Sequence, residues 1–314
     1  MNNMRTDHYY DSLGEGKIHY CRWTPEDKPK AVVQIIHGIA EYVERYDDFA
    51  EYLNSLGVLV VAEDHMGHGK SIGNGTRGYF AGGWFTAVAD SYQLLQMTKA
   101  EFPSLPYVLF GHSMGSFMTR TILAMYPQSG ITAAVICGTG WMPGAVLQAG
   151  KAACEAVCRK NGDRVPNEKL QGLVFSGYNK RVEHPRTPFD WICRDDRCVD
   201  SYVADPLCGF TATAGLLRDM LTGILYIQKP ASLTSMNKEL PVFFIAGGDD
   251  PVGSYGKGVR QTVEKFKKAG MKDVSVRIYP LCRHEILNEI NRVEVYEDVA
   301  QWIGRYIKEP SSAK

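Results

Sequence analysis

The sequence predicts an α/β fold in which a mostly parallel, doubly wound sheet has an antiparallel N-terminal edge and carries an inserted helical cap. Three observations predict it. Short apolar runs alternate with segments of helical period, most of these runs are apolar on both faces, and the alternation stops between residues 140 and 235. Strands that are apolar on both faces are typical of a parallel sheet covered by helices on two sides. Alternating strands and helices place the chain in the α/β class.

Six short runs are predicted to be strands, and most of them have the pattern of buried strands. They are Ala31–Ile36, Val58–Ala62, Tyr107–Phe110, Ala133–Cys137, Val242–Ala246 and Val274–Tyr279. Ahead of them, HYYDSLGEGKIHYCRW indicates two antiparallel strands joined by a turn at Gly14–Gly16, which we expect at one edge of the sheet.

Apolar residues at every third or fourth position predict helices between and after these strands. Such stripes run from Val43 to Leu56, from Phe85 to Phe102 and from Val295 to Tyr306. The rhythm changes in residues 140–235, where helical pieces are separated by loops that contain Pro and Gly. Because this insertion is too long for an ordinary loop, we expect a helical cap there, with residues 1–139 and 236–314 forming the core domain.

Composition and charge narrow the function classes. A chain of 314 residues with 45% apolar residues can bury a large core without disulfides or metal. Its 35 basic residues balance 35 acidic ones, which argues against a nucleic-acid partner. The N-terminal segment MNNMRTDHYYDS has no apolar stretch typical of a secretory signal. We therefore expect a cytoplasmic protein whose eight cysteines are reduced thiols.

The most informative segment is PYVLFGHSMGSFMTRTILAMYP, in which a predicted strand runs into Gly111-His112-Ser113-Met114-Gly115 and a helix follows. This G-x-S-x-G pattern between a strand and a helix is typical of a nucleophile elbow, a turn too sharp for bulky residues two positions before and after the serine. The free N–H groups at the start of the helix point toward the reaction centre. Ser113 is therefore the candidate nucleophile.

A serine hydroxyl needs a base that is itself held by an acid. In folds with a nucleophile elbow the chain order is Ser, then Asp or Glu, then His. Of the eight histidines, only His284 follows the last two predicted strands, so it is the candidate base. The acid is expected in GGDDPVG, directly after the strand Val242–Ala246, where Asp249 and Asp250 are both candidates.

Five motifs occur in order along the chain: HGIAEYVERY, AEDHMGHGKS, GHSMGS, GGDDPVG and CRHEILNE. Together they resemble the monoacylglycerol lipases and lysophospholipases of the α/β-hydrolase superfamily, and the likeness extends from about Ala31 to Tyr306. The resemblance implies an α/β-hydrolase fold with Ser113 as nucleophile and His284 as base. In that family the acid follows the glycine after the strand by three positions, which selects Asp250.

The resemblance also implies an oxyanion hole made by the backbone N–H groups of Ile39 and Met114, with Gly38 and His112 beside the substrate. It implies a single-chain lipid ester, a monoacylglycerol or a lysophospholipid, cleaved through an acyl-enzyme without metal or organic cofactor. A transient contact of the cap with a membrane surface is compatible with it. Acyl length, head group and oligomeric state are left open.

Three alternatives remain at this stage. A broad-specificity carboxylesterase shares every motif. A peptidase of the proline-iminopeptidase type needs acidic cap residues to bind a free amino terminus, for which Glu155, Glu183, Asp190 and Asp205 are available. A non-catalytic binding protein on a hydrolase scaffold is the third.

Several other residues are given structural interpretations. His65 and His68 superficially suggest a metal pair, but no third ligand is evident and the resemblance favours a scaffolding turn. Cys282 is interpreted as a packed thiol. A set of large cap residues is interpreted mainly as the core of the cap itself, and the alternative that several of them also line an acyl channel is left open: Trp141, Met142, Phe175, Tyr178, Phe189, Trp191 and Met220.

Overall fold

One eight-stranded sheet organises the residues that this computed structural model describes, 5–72 and 75–307. The strands are β1 (Arg5–Asp11), β2 (Lys17–Trp23), β3 (Ala31–Ile36), β4 (Val58–Glu63), β5 (Tyr107–His112), β6 (Ala133–Cys137), β7 (Val242–Gly247) and β8 (Val274–Tyr279). Their order across the sheet is β1-β2-β4-β3-β5-β6-β7-β8. β2 pairs antiparallel with both β1 and β4, and all other neighbours are parallel. The predicted fold class is confirmed.

Helices cover both faces of this sheet. They are α1 (Asp47–Ser55), α2 (Trp84–Glu101), α3 (Met114–Met125), α4 (Gly144–Asn161), α5 (Glu168–Phe175), α6 (Asp196–Ala204), α7 (Ala214–Ile227), α8 (Pro230–Ser235), α9 (Lys257–Lys268) and α10 (Arg292–Gly304). Successive side chains of a strand point to opposite faces, and β3 shows the result. Val32 and Ile36 join the apolar cluster that contains α2 and α3, whereas Val33 and Ile35 join the cluster that contains α1 and α10.

Two elements differ in detail from the sequence pattern. The stripe predicted from Phe85 to Phe102 is largely confirmed, since α2 buries Val88 and Leu95, but Phe85 itself is 39% exposed and its ring lies 5.2 Å from that of Tyr226 in α7. The strand Val274–Tyr279 is the edge strand β8, and most of its side chains are only partly buried. Among the described residues no further strand pairs with the free edge of β8. Its side chains are therefore less buried than those of the inner strands.

The chain between β6 and β7 holds α4 to α8. Most of α7 is buried, because it packs against α2 and α3 of the main apolar cluster. A Cβ added at Gly223 would overlap the indole of Trp84, and the Trp84 Nε1–H donates to the Thr121 hydroxyl of α3 (3.2 Å). In contrast, α5 buries only Leu170. In ranges 5–72 and 75–307, no helix is long and apolar enough to cross a membrane.

Candidate active site

Ser113 alone forms the turn between β5 and α3. Its backbone has φ 53° and ψ −120°, a conformation that costs a non-glycine residue on the order of 1–3 kcal/mol. A Cβ at Gly111 would overlap the Thr119 side chain and the Gly115 carbonyl, and a Cβ at Gly115 would overlap the Ile36 carbonyl. These two close approaches explain the spacing of the G-x-S-x-G motif.

His284 and Asp250 meet beside this turn. Asp250 lies after β7 and His284 after β8, and the Nδ1 atom of His284 is 3.0 Å from the Oδ1 atom of Asp250. Both side chains are buried, and Asp250 Oδ1 also accepts a hydrogen bond from the Val252 N–H (2.8 Å). Asp249 is only partly buried, and its N–H donates to the Cys282 carbonyl (2.9 Å). Of the two candidate acids, Asp250 is therefore the one that contacts the imidazole.

The loop that carries His284 packs tightly against its surroundings. A Cβ at Gly247 would overlap the carbonyl oxygens of Cys282 and Arg283, so the loop lies directly on the end of β7. The His284 ring lies 5.1 Å from the Trp191 ring. Cys282 is buried, burial raises the pKa of its thiol, and its Sγ donates to Asn291 Oδ1 (3.1 Å). These contacts describe a packed thiol.

The segment after β3 approaches Ser113 from the other side. A Cβ built at Gly38 would lie 3.0 Å from the Cβ of Ser113, so this close approach requires glycine. Neither Ile39 N–H nor Met114 N–H donates to an acceptor within the described part of the chain. Both amides therefore remain available beside Ser113, as an oxyanion hole requires.

Three buried histidines, His37, His65 and His68, pack together next to the segment after β3. His37 Nε2 accepts a hydrogen bond from the His65 N–H (3.0 Å), and His65 Nε2 contacts the His37 carbonyl (3.0 Å). Burial lowers the pKa of His37, and it lowers the pKa of His68 to about 3. Buried rings that contact one another and the backbone fit the scaffolding role.

A cavity of about 560 Å³ opens above Ser113. Ser113, His112 and His284 line it together with Gly38 and Ile39, whereas Asp250 lies behind His284 and Met114 is buried beside Ser113. The rest of the wall comes mainly from the insertion, residues 140–235: Glu168, Gln171, Gly172, Phe175, Pro188, Phe189, Trp191, Ile192, Tyr202, Gly209, Phe210, Thr211 and Ala212.

This wall refines the sequence interpretation of the cap. Phe175, Phe189 and Trp191 line the cavity in addition to packing within the cap. None of the four cap acids considered for a peptidase lines it, whereas Glu168, which the sequence reasoning did not select, does. Glu41 and Glu285 were also missed, although each lies inside a quoted motif, HGIAEYVERY and CRHEILNE. The available signal was only their position, because Glu41 lies three residues after Gly38 and Glu285 directly follows His284.

A family model described as serine aminopeptidase, S33, matches residues 27–291. The chain belongs to this family. Among relatives, a monoacylglycerol lipase of Mycolicibacterium smegmatis is 29% identical over 312 residues, which are 98% of this chain and 100% of the relative. A monoglyceride lipase of Mus musculus is 35% identical over 299 residues, covering 93% of this chain and 89% of the relative.

Solved structures agree with this membership. A thermostable carboxyl esterase from Bacillus coagulans, in complex with glycerol, superposes with a TM-score of 0.90 at 28% identity, covering 97% of this chain and 99% of that one. The resemblance to monoacylglycerol lipases of the α/β-hydrolase superfamily is thereby confirmed. This serine aminopeptidase S33 family member is an enzyme, a hydrolase of the serine-hydrolase type.

Proposed function

We propose that the protein hydrolyses carboxylic esters of single-chain lipids, with Ser113 as nucleophile, His284 as general base and Asp250 as the acid that orients the base. One observation carries the proposal: Ser113 and His284 open together into a largely apolar cavity of about 560 Å³, and the Nδ1 side of His284 is occupied by Asp250. The lipase and esterase names of the relatives and of the superposed structure support the ester bond as the target.

The reaction has two acyl-transfer steps. His284 takes the proton of the Ser113 hydroxyl as Oγ attacks the ester carbonyl, and the N–H groups of Ile39 and Met114 stabilise the oxyanion. Collapse of the tetrahedral intermediate breaks the bond to the alcohol, which leaves with the proton from His284. The same imidazole then deprotonates a water that attacks the acyl-enzyme, and the fatty acid leaves as Ser113 regains its proton. Asp250 orients the imidazole and stabilises the imidazolium that forms.

The charges of the cavity wall favour an uncharged head group. Glu41 and Glu285 are already paired with Arg45. Glu168 is therefore the wall carboxylate that faces the cavity without a cationic partner, and no Lys or Arg belongs to the wall in the portion of the chain that is described. A phosphate ester would face the Glu168 carboxylate with no Lys or Arg in the wall to bind it, and like charges repel. Glycerol hydroxyls donate hydrogen bonds to carboxylates instead. We therefore propose monoacylglycerols ahead of lysophospholipids.

We also propose that residues 140–235 act as a cap over this site. In α5, the residues that line the cavity are Glu168, Gln171, Gly172 and Phe175, a spacing that places them on one face of the helix. The segment from Pro188 to Ile192 and the segment from Gly209 to Ala212 supply the rest of the roof. Substrate specificity therefore depends mainly on the insertion, and the chemistry depends on the sheet.

A substrate panel tests the proposal. Purified protein is assayed on monoacylglycerols of short, medium and long acyl chain, on lysophosphatidylcholine and lysophosphatidate, on a short p-nitrophenyl ester and on an aminoacyl anilide, with Ser113→Ala as a control for contaminating activity. We expect the highest kcat/KM on medium or long monoacylglycerols and the lowest among the lipids on lysophosphatidate.

Each alternative has its own result in this panel. Similar kcat/KM values across unrelated acyl groups would show a broad-specificity carboxylesterase. Preference for the aminoacyl anilide would show a peptidase, with Glu168 as the cap carboxylate nearest the free amine. Hydrolysis of lysophosphatidate at the rate of monoacylglycerol would overturn the assignment of an uncharged head group.

A further inference from the structure

Four ionisable side chains form a continuous buried cluster next to the proposed triad. His112 Nδ1 lies 3.1 Å from Glu41 Oε1, and Glu41 Oε2 accepts a hydrogen bond from Arg45 (2.8 Å). Arg45 then donates through both of its terminal nitrogens to the Glu285 carboxylate (2.7 and 2.6 Å). We call His112, Glu41, Arg45 and Glu285 the ion cluster.

Glu41 of the ion cluster binds the segment that carries the proposed oxyanion-hole amide of Ile39. Glu41 Oε1 accepts a hydrogen bond from the Gly38 N–H (2.5 Å), directly before Ile39. The same oxygen accepts from the Tyr46 hydroxyl (3.0 Å). The position of the Ile39 amide relative to Ser113 is therefore tied to the Glu41 side chain.

Glu285 of the ion cluster lies in the loop that carries the candidate base, His284. Glu285 directly follows His284, and its N–H donates to the Ile192 carbonyl of the cap (2.7 Å). The rings of His112 and His284 lie 4.8 Å apart. Through Glu41 and Glu285, Arg45 joins the two segments that must both be placed correctly around Ser113.

The charges of the ion cluster balance. Burial is the largest single effect and favours neutral imidazole, but the hydrogen bond to Glu41 and the negative charges of Glu41, Glu285 and Asp250 together raise the pKa of His112. Burial likewise disfavours the Glu41 carboxylate, but His112 and Arg45 lower its pKa. Two cations thus face two anions. Because buried ion clusters are often no more stabilising than well-packed apolar residues, stability alone does not account for one at this place.

We propose that Arg45 is a positioning residue for the hydrolysis, holding the Ile39 amide and the His284 imidazole in register with Ser113 through Glu41 and Glu285. The inference rests on the proposed function, because it assigns a task within the same triad. Arg45 itself does not belong to the cavity wall, so it acts through its neighbours. Its guanidinium stacks on the Tyr202 ring of α6 (4.8 Å), whose hydroxyl donates to the Ala40 carbonyl (3.0 Å).

The first test compares Arg45→Lys with Arg22→Lys. Lysine keeps the charge but cannot make the forked contact to a carboxylate. Arg22 makes a forked contact with Glu101 far from the cavity (2.8 and 2.5 Å), and so it is a matched control. With active sites counted by complete fluorophosphonate labelling, we expect Arg45→Lys to lower kcat by about tenfold or more with KM within about twofold, since small misplacements of reacting groups are costly. Arg22→Lys should leave both constants within about twofold.

The second test uses the sign of the charge that is removed. The charged and titratable groups around His284 are Asp250 after β7, His112 at the end of β5, Glu41 and Arg45 after β3, Glu285 in its own loop, and Tyr178 of the cap. Removing the cation in Arg45→Met favours protonation of His284, and removing an anion in Glu285→Gln disfavours it. We expect the acid limb of the kcat/KM profile to move to higher pH in the first variant and to lower pH in the second, each by about half a unit or more.

The outcomes separate this inference from the proposed function. A drop in thermal stability with unchanged kcat per active site in Arg45→Lys, or pH limbs that move in the same direction, would show a structural role only and would overturn the positioning role. In that case an inactive Ser113→Ala variant would leave the proposed function standing. Turnover that survives in Ser113→Ala would instead reject the triad.

Discussion

The Nδ1 atom of His284 lies 3.0 Å from the Oδ1 atom of Asp250, and both side chains are buried. The two residues follow the adjacent parallel strands β8 and β7, so the register of the sheet brings them together. Since the two nitrogens lie on different sides of an imidazole ring, contact of Nδ1 with Asp250 leaves Nε2 for the hydroxyl of Ser113. The relationship leads directly to predictions about each member of the proposed triad.

Ser113→Ala and His284→Gln should each reduce kcat by about 10⁴-fold or more, because removal of the nucleophile or the base stops acylation. Alanine keeps the Cβ at φ 53°, so Ser113→Ala neither relieves nor adds backbone strain. Steady-state ester hydrolysis and a thermal unfolding curve check both points. A Ser113→Ala protein that still shows burst kinetics would contradict the assignment.

Asp250→Asn should lose about 10²-fold or more in kcat, because an amide cannot stabilise the imidazolium that forms on His284. Asp249→Asn is the matched control, since its side chain is only partly buried and the neighbouring carboxylate stays in place. We expect it to keep kcat within about threefold. The kcat values of the two variants, measured in the same assay, identify the acid. A larger loss of kcat in Asp249→Asn than in Asp250→Asn would make Asp249 the acid.

Gly172→Leu should shift the preference toward shorter acyl chains. Gly172 lines the cavity, and an added Cβ meets no atom within 4 Å, so a larger side chain enters free space without strain. The matched control is Leu173→Phe, because Leu173 is 64% exposed on the next position of α5. The ratio of kcat/KM for long and short monoacylglycerols is the measurement. An unchanged ratio in Gly172→Leu would mean that the acyl chain lies elsewhere.

Asp90→Asn should raise the free energy of unfolding at neutral pH. The Asp90 carboxyl accepts hydrogen bonds from the Ser12 hydroxyl and the Leu13 N–H (both 2.7 Å), and burial raises its pKa to about 6 from the ordinary 3.8. Because the folded-state pKa is the higher one, the stabilisation is complete below the ordinary value and is lost as pH rises through about 6.

An uncharged asparagine avoids this loss. The gain over the native protein should therefore grow between acidic and neutral pH, to at most about 3 kcal/mol. Urea denaturation of both proteins across this range measures it, with the exposed Asp27→Asn as control. A difference that is constant with pH would show that Asp90 does not titrate in the folded state.

The parts of this molecule that the sequence could predict are those with local signals. The elbow around Ser113 is marked by glycines that only close backbone approaches require, and the inner strands are apolar on both faces because both are covered. The helix α2 and most of its buried face were predicted correctly, but Phe85 is exposed and contacts Tyr226 of α7. Tertiary packing decides the environment of that one residue.

The parts that could not be predicted depend on long-range contacts. Arg45 and Glu285 are 240 positions apart in the sequence, and no local sequence pattern predicts that they form an ion pair. The cavity wall has the same origin, because α5 and the segments around Trp191 and Phe210 have no shared periodicity that would place them over Ser113. Their positions follow from how the insertion rests on the core.

The close contact of Gly223 in α7 with the Trp84 indole of α2 distinguishes two parts of the insertion, because it holds α7 against the core whereas α5 has no such contact. Because α7 packs into the core in this way, we expect the rear of the insertion to keep its position. We expect any adjustment of the entrance in α5, a helix of 8 residues with one buried side chain. Replacing α5 alone, with the rest of the chain unchanged, is therefore the simplest way to change which substrates this enzyme accepts.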